Sequence, residues 1–165
     1  MRQLFGLVQG STQPDADMAT LMASQVLFWL LRAPDGHAKN FSVRLLPAGR
    51  FHLTRLYDVM SAYPVLGNGP SQWSQHELTM AMALFGKGRH DRVLDIRRRH
   101  FNSTARQVGF GSDAEPVIQG ILERTPAAIA EVEADFPDDF AWPVAEAVPG
   151  GLRAAADALA AMPVE

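Results

Sequence analysis

The chain has 165 residues, 47% hydrophobic and 20% charged, with a formal net charge of −3 and no cysteine. This is the composition of one globular domain with enough apolar material for a core, and it excludes a disordered chain. The missing cysteines exclude disulfides, thiolate zinc sites and a thiol nucleophile, and the weak negative charge gives no overall pull toward nucleic acid or anionic lipid.

The first residues, "MRQLFGLVQGSTQPDAD", lack the long apolar run and cleavage pattern of a signal peptide. No stretch approaches the roughly 18 apolar residues of a membrane span. A cytoplasmic protein without a membrane partner is therefore expected. Asp15 is a candidate N-cap for a helix running to about Leu31, in which Met18, Leu21, Met22, Val26 and Trp29 recur at spacings of three and four. Pro34 disfavours helical geometry at Ala33 and should end it.

Phe41, Val43 and Leu45 alternate, and Phe51 and Leu53 do so again after "PAGR". That pattern predicts a β-hairpin whose outer ends bring Asn40 close to Tyr57 and Asp58. "AYPVLGNGPSQ" reads as loop. Leu78, Met80, Met82 and Leu84 alternate as in a short strand ending at the turn from Gly86 to Gly88.

The remainder reads helical. One helix is expected over residues 95–108 and a second is capped by Ser112. A third starts at Thr125 with Pro126 in its first turn, and a last one covers 143–162, interrupted near "VPGG". Trp29, Trp73 and Trp142 are expected in or near the core. "RRRH" at 97–100 reads as a solvated face, so a direct nucleic-acid interface is not expected. His90 and His100 are assigned structural roles. No histidine pair has metal-binding spacing, and no nucleophile elbow points to a hydrolase.

One stretch concentrates reactive groups. "APDGHAKNFS", residues 33–42, places Asp35 and Asn40 in a loop between the buried helix and the hairpin, while Asp58 lies beyond the hairpin's far end. Two carboxylates about 4 Å apart repel by roughly 4 kcal/mol at an effective dielectric near 20. A cation relieves that repulsion, and oxygen ligands favour Mg²⁺ over zinc. Lys39 could relieve it without a metal. Phosphoryl transfer uses these residue types: an aspartate for the hydroxyl proton, and an asparagine and a second aspartate for the metal. By spacing alone, an ordinary Asp-Gly turn is the favoured reading.

Four blocks in order, "DGHAKNFS", "LTRLYDVMSAYPVLGNG", "ELTMAMALFGKGRH" and "RRRHFNSTARQVGF", resemble the C-terminal part of HipA, the serine/threonine kinase toxin of bacterial toxin–antitoxin pairs. The resemblance runs from about Met18 to at least Phe110 and more loosely beyond. It implies a mainly α fold, a protein-kinase-like C-terminal lobe of the HipA type, with the small hairpin carrying the catalytic and metal loops. Residues 1–165 would then form a single domain.

By this resemblance Asp35 is the catalytic base. His37, Lys39, Asn40 and Tyr57 contact nucleotide, and Asn40 and Asp58 hold Mg²⁺. The sequence departs from ordinary kinases in having Pro34 where their arginine precedes the aspartate, and Val59-Met60 where Phe-Gly follows the metal ligand. The family's N-terminal lobe, with its phosphate-covering loop and phosphate-pairing lysine, has no counterpart in these residues. ATP and Mg²⁺ are thus expected cofactors conditional on a completed cleft, and the chain alone should position ATP poorly.

The expected partners are a protein substrate, a HipB-like helix-turn-helix antitoxin, a separate N-lobe chain, or a second copy through apolar side chains left exposed. The alternative is a non-catalytic binding module that docks on an antitoxin or partner kinase.

Overall fold

A computed structural model describes residues 1–165. Helix α1 (Arg2–Val8) is followed by α2 (Pro14–Leu30), the hairpin of β1 (Val43–Leu45) and β2 (Phe51–Leu53), and a second hairpin of β3 (Thr79–Phe85) and β4 (Arg89–Arg92). Helices α3 (Arg98–Gln107), α4 (Glu115–Ala134) and α5 (Trp142–Ala161) complete the chain. Each sheet is an antiparallel pair, with Val43 opposite Leu53 in the first and Leu84 opposite His90 in the second. The mainly α architecture with small β-elements is the one expected.

Helix α2 is the centre. Leu21, Met22, Val26 and Leu30 are all but inaccessible, and they join Phe5, Leu84, Ile96, Phe101, Ile118 and Leu159 in one core. The Trp29 indole N–H donates to the Val93 carbonyl at 2.9 Å, and its ring meets Phe101 edge-on. Helix α1 carries no periodic signal because it is so short, yet it contributes Phe5 and Val8.

Several boundaries differ from the sequence reading for identifiable reasons. Gln13, not Asp15, occupies the N-cap position of α2, without a side-chain capping bond; Pro14 opens the first turn, and Asp15 follows it there. The strand at 78–84 has a partner, β4. Helix α3 begins three residues later than expected because Val93–Asp95 forms a separate 3-10 turn. Alternation located β1 correctly but not its burial: Val43 and Leu45 are exposed, Leu45 by 77%.

The helices expected at Ser112 and Thr125 are one. Pro126 lies inside α4, where the Thr125 hydroxyl donates to the Ile121 carbonyl at 2.7 Å, next to the carbonyl that the proline cannot serve. Ser112 does not cap it; the Asp113 carboxylate accepts from the Glu115 N–H. Likewise α5 runs unbroken through Pro149, and Gly151 has a packing reason. A Cβ there would lie 2.4 Å from the Tyr63 ring. Trp73 and Trp142 are exposed, by 55% and 68%, so only Trp29 belongs to the core.

The "RRRH" run is not a solvated face. Arg98 is buried and pairs with Glu115, while Arg97 and Arg99 face outward. His100 is buried; its Nδ1 accepts the Arg97 N–H, and its ring stacks on His90 at 3.8 Å. Burial, reinforced by His90, Arg99 and Arg97, pushes the His100 pKa down to about 4 and keeps it the neutral acceptor at the start of α3.

Candidate active site

Helix α2 ends at Leu30, and Arg32 takes a left-handed φ of 52°. The chain then turns over the Phe28 ring. Ala33 N–H donates to the Phe28 carbonyl, Gly36 lies on the ring face, and Phe41 meets the same ring edge-on. Any Cβ at Gly36 would sit 2.3 Å from Phe28, so only glycine allows this close approach. Gly36→Ala is expected to cost about 1–3 kcal/mol through overpacking and to shift the neighbouring Asp35. Chemical denaturation checks the cost, and a chemical-shift map checks where the change lies.

The loop is ordered by its own hydrogen bonds. Asn40 is buried; its amide nitrogen donates to the Asp35 carbonyl at 2.8 Å, which leaves its oxygen as the acceptor for another group. His37 N–H donates to that carbonyl at 2.7 Å and the Asn40 N–H to the His37 carbonyl. The His37 Nε2 lies 3.4 Å from the exposed Asp35 carboxylate, while its Nδ1 is buried without a partner. Lys39 is exposed. From below, the Ala81 N–H donates to the Pro34 carbonyl and fastens the loop to β3.

The first hairpin reaches back as its register requires. The Tyr57 hydroxyl lies 2.8 Å from the Ser42 hydroxyl and donates to the Lys39 carbonyl at 3.2 Å, so Tyr57 closes on the Asp35 loop. Asp58 follows, exposed and at a left-handed φ of 54°. Backbone held in this region by a non-glycine residue marks a constrained position. Asp58 and Asn40 share no hydrogen bond; they are neighbours through Tyr57 and Lys39.

Asp17 was not singled out by the sequence reading. It is buried in α2, and its carboxylate accepts the Leu53 N–H and the Gln13 side-chain amide at 3.0 Å each. Burial opposes its ionisation, but these hydrogen bonds win and hold its carboxyl below the usual range. An acid at the first turn of a helix gave no hint that it anchors β2.

The donor set can be compared with the metal it would suit. No three His, Asp or Glu side chains converge here, which argues against a zinc-type cage. One carboxylate and one oriented amide oxygen instead fit Mg²⁺, which takes one or two carboxylates and completes its shell with phosphates and water.

A helical lobe built around one central helix, with a polar loop at that helix's end and a hairpin folding back over it, is the architecture of a protein-kinase-like C-terminal lobe. Residues 1–131 match the HipA-like C-terminal domain, and the chain belongs to that family. Its fold also matches a chain of the HipA, HipB and operator DNA complex of the Shewanella oneidensis MR-1 toxin–antitoxin system. There the TM-score is 0.75 at 24% identity, with 96% of this chain and 35% of that chain covered. The present chain thus spans about a third of its structural relative's length.

Proposed function

We propose that this domain is the catalytic and metal-binding half of a serine/threonine kinase, transferring the γ-phosphoryl group of ATP to a protein hydroxyl when an N-terminal lobe completes the cleft. The observation that carries this reading is the loop over Phe28. It presents the Asp35 carboxylate to solvent and commits the Asn40 amide nitrogen to the Asp35 carbonyl, while Tyr57, the neighbour of Asp58, closes on Lys39.

Asp35 would take the proton of the attacking hydroxyl. Asn40 and Asp58 would hold Mg²⁺, which when bound neutralises charge on the phosphates, and His37, Lys39 and Tyr57 would line the nucleotide side. Positioning and electrostatics supply nearly all catalysis in this reaction, so an incomplete cleft binds nucleotide weakly.

MgATP at millimolar concentration should raise the melting temperature of the chain, because a ligand that binds only the folded state stabilises it. Asp58→Ala, at an exposed position, should abolish the rise while leaving the unliganded melting temperature within a few degrees. An unchanged melting temperature with MgATP rules out a self-sufficient nucleotide site in this lobe.

A second reading also has support. Val59, Met60, Val65 and Trp73 are all exposed next to the loop, as on a surface made to be covered. A domain that docks on an antitoxin resembling HipB, on a separate N-lobe or on a second copy would use them without chemistry. The oriented Asn40 favours the first reading, since docking has no need of it.

A further inference from the structure

Arg32 is a buried charge that the site chemistry does not use. It is 7% exposed and has no carboxylate partner. Its Nη1 donates to the Trp29 carbonyl, while its Nε is buried without a partner. Its backbone is held at a left-handed φ of 52°, which a residue with a Cβ adopts at a cost. Burial lowers its pKa from the ordinary arginine value, so the fold carries this cation against desolvation. These unfavourable features coincide at one position, three residues before Asp35.

The surroundings show what the side chain does there. Helix α2 ends at this point, and the last carbonyls of a helix find no partner within it. The turn at 61–63 takes up three of them. The Leu30 carbonyl accepts from the Tyr63 hydroxyl at 2.8 Å, the Leu31 carbonyl from the Ser61 hydroxyl at 2.6 Å, and the Arg32 carbonyl from the Ala62 N–H at 3.0 Å. The Arg32 guanidinium serves the Trp29 carbonyl and lies over two rings, 4.5 Å from that of Trp29 and 6.0 Å from that of Tyr63. A cation suits both the negative end of a helix and the faces of aromatic rings. Arg32 therefore joins the end of α2 to the turn at 61–63, and the Asp35 loop departs from that joint.

We infer that Arg32 is a positioning residue for Asp35: its guanidinium locks the end of α2 to the turn at 61–63 and so fixes the direction in which the loop leaves the helix. The Asp35 carboxylate has no hydrogen bond within the protein and meets only His37, at 3.4 Å, so its place is inherited from the backbone before it. That backbone is held at both ends, by the Arg32 joint and by the Ala81 N–H on the Pro34 carbonyl. The catalytic consequence rests on the phosphoryl-transfer reading, whereas the ordering of the loop does not.

The test compares Arg32→Gly and Arg32→Lys with the parent chain. Glycine adopts the left-handed φ freely, so the first variant removes the guanidinium alone. Lysine keeps the charge without the planar face. In amide hydrogen exchange, Ala33, His37, Asn40 and Ala62 should exchange at least ten-fold faster in Arg32→Gly and three-fold faster in Arg32→Lys. The core amides of Leu21, Ala105 and Leu159 should stay within two-fold in both, because the opening is local. Unchanged loop exchange, or equal acceleration in loop and core as a merely structural cap would give, overturns the inference; Arg32→Lys decides it if Arg32→Gly does not fold. In the kinase completed by an N-terminal lobe, Arg32→Gly should lower phosphate transfer at least ten-fold with Asp35 present. In the Asp35→Asn background it should lower transfer less than two-fold, since a residue acting through Asp35 then has nothing left to position. Equal losses in the two backgrounds overturn the positioning role. Local acceleration in a chain whose completed form transfers no phosphate retains Arg32 as the anchor of the loop and removes the kinase reading. Phosphate transfer without local acceleration removes the Arg32 inference alone.

Discussion

Arg98→Ala is expected to destabilise the domain by about 3–5 kcal/mol, the cost of leaving one member of a buried ion pair alone. Arg98 is 3% exposed, and its guanidinium meets the Glu115 carboxylate through both Nε and Nη2, at 3.1 and 2.5 Å. Its Nη1 donates to the Leu159 carbonyl at 3.3 Å. Asn102 completes the arrangement. Its amide nitrogen donates to Glu115 and to the Val164 carbonyl, and its oxygen accepts the Ala114 N–H. One arginine therefore joins the start of α3, the start of α4 and the end of α5.

Losing it strands a carboxylate and two helix ends together, so urea titration should show the midpoint fall well beyond what truncating an exposed arginine produces. A change below 1 kcal/mol would mean that the pair is solvated. The same pair sets an acid limb. Hydrogen bonds from Arg98 are the main cause holding the Glu115 carboxyl below its ordinary value of 4.5; burial opposes them and Asn102 assists. A depressed folded pKa means this stability is complete above about pH 4.5 and is lost as pH falls through the folded value. Stability measured from pH 6 to 3 should fall less steeply in Arg98→Ala than in the parent chain.

The second large effect is on chemistry. In a kinase completed by an N-terminal lobe, Asp35→Asn should lower phosphate transfer by about 10²–10⁴-fold, the usual worth of a positioned general base. Stability should barely change. The Asp35 side chain is 58% exposed, and Asn40 is held by its backbone carbonyl, not its carboxylate. Transfer of labelled γ-phosphate to a protein acceptor measures the first quantity, and MgATP affinity shows whether binding survives. Retained transfer in Asp35→Asn would remove the aspartate from the role of base.

Where the sequence was legible, the decisive contacts are local. The helix ending before Pro34 and the first hairpin follow from periodicity and turn residues. The hairpin's register then carries Tyr57 back to Lys39, as the alternation of its strands suggested. The candidate loop is a contiguous run, so its residue types and order could be read directly, and the ordered blocks identified the family from which the residue roles were expected.

The misreadings share another cause. Pro126 and the "VPGG" run look like breaks when only local propensity is counted. Both helices nevertheless continue through Pro126 and Pro149, and the glycine at 151 is there to pack against Tyr63. Arg98 looked solvated because Glu115 and the α5 carbonyls that accept from it are remote in sequence. The need for glycine at 36 was invisible for a similar reason, since it lies in the ring of Phe28, back in α2 across the bend that ends the helix.

By itself the sequence determined the centres of the longer helices and of β1, β2 and β3, and which reactive groups share a loop. Tertiary structure alone decided which charged groups are buried, which glycines are irreplaceable, and which residues stand around Asp35. The physical reason is that periodicity and turn chemistry act over a few residues, whereas burial, close approach and the shape of a cavity depend on segments that meet only after the chain has folded.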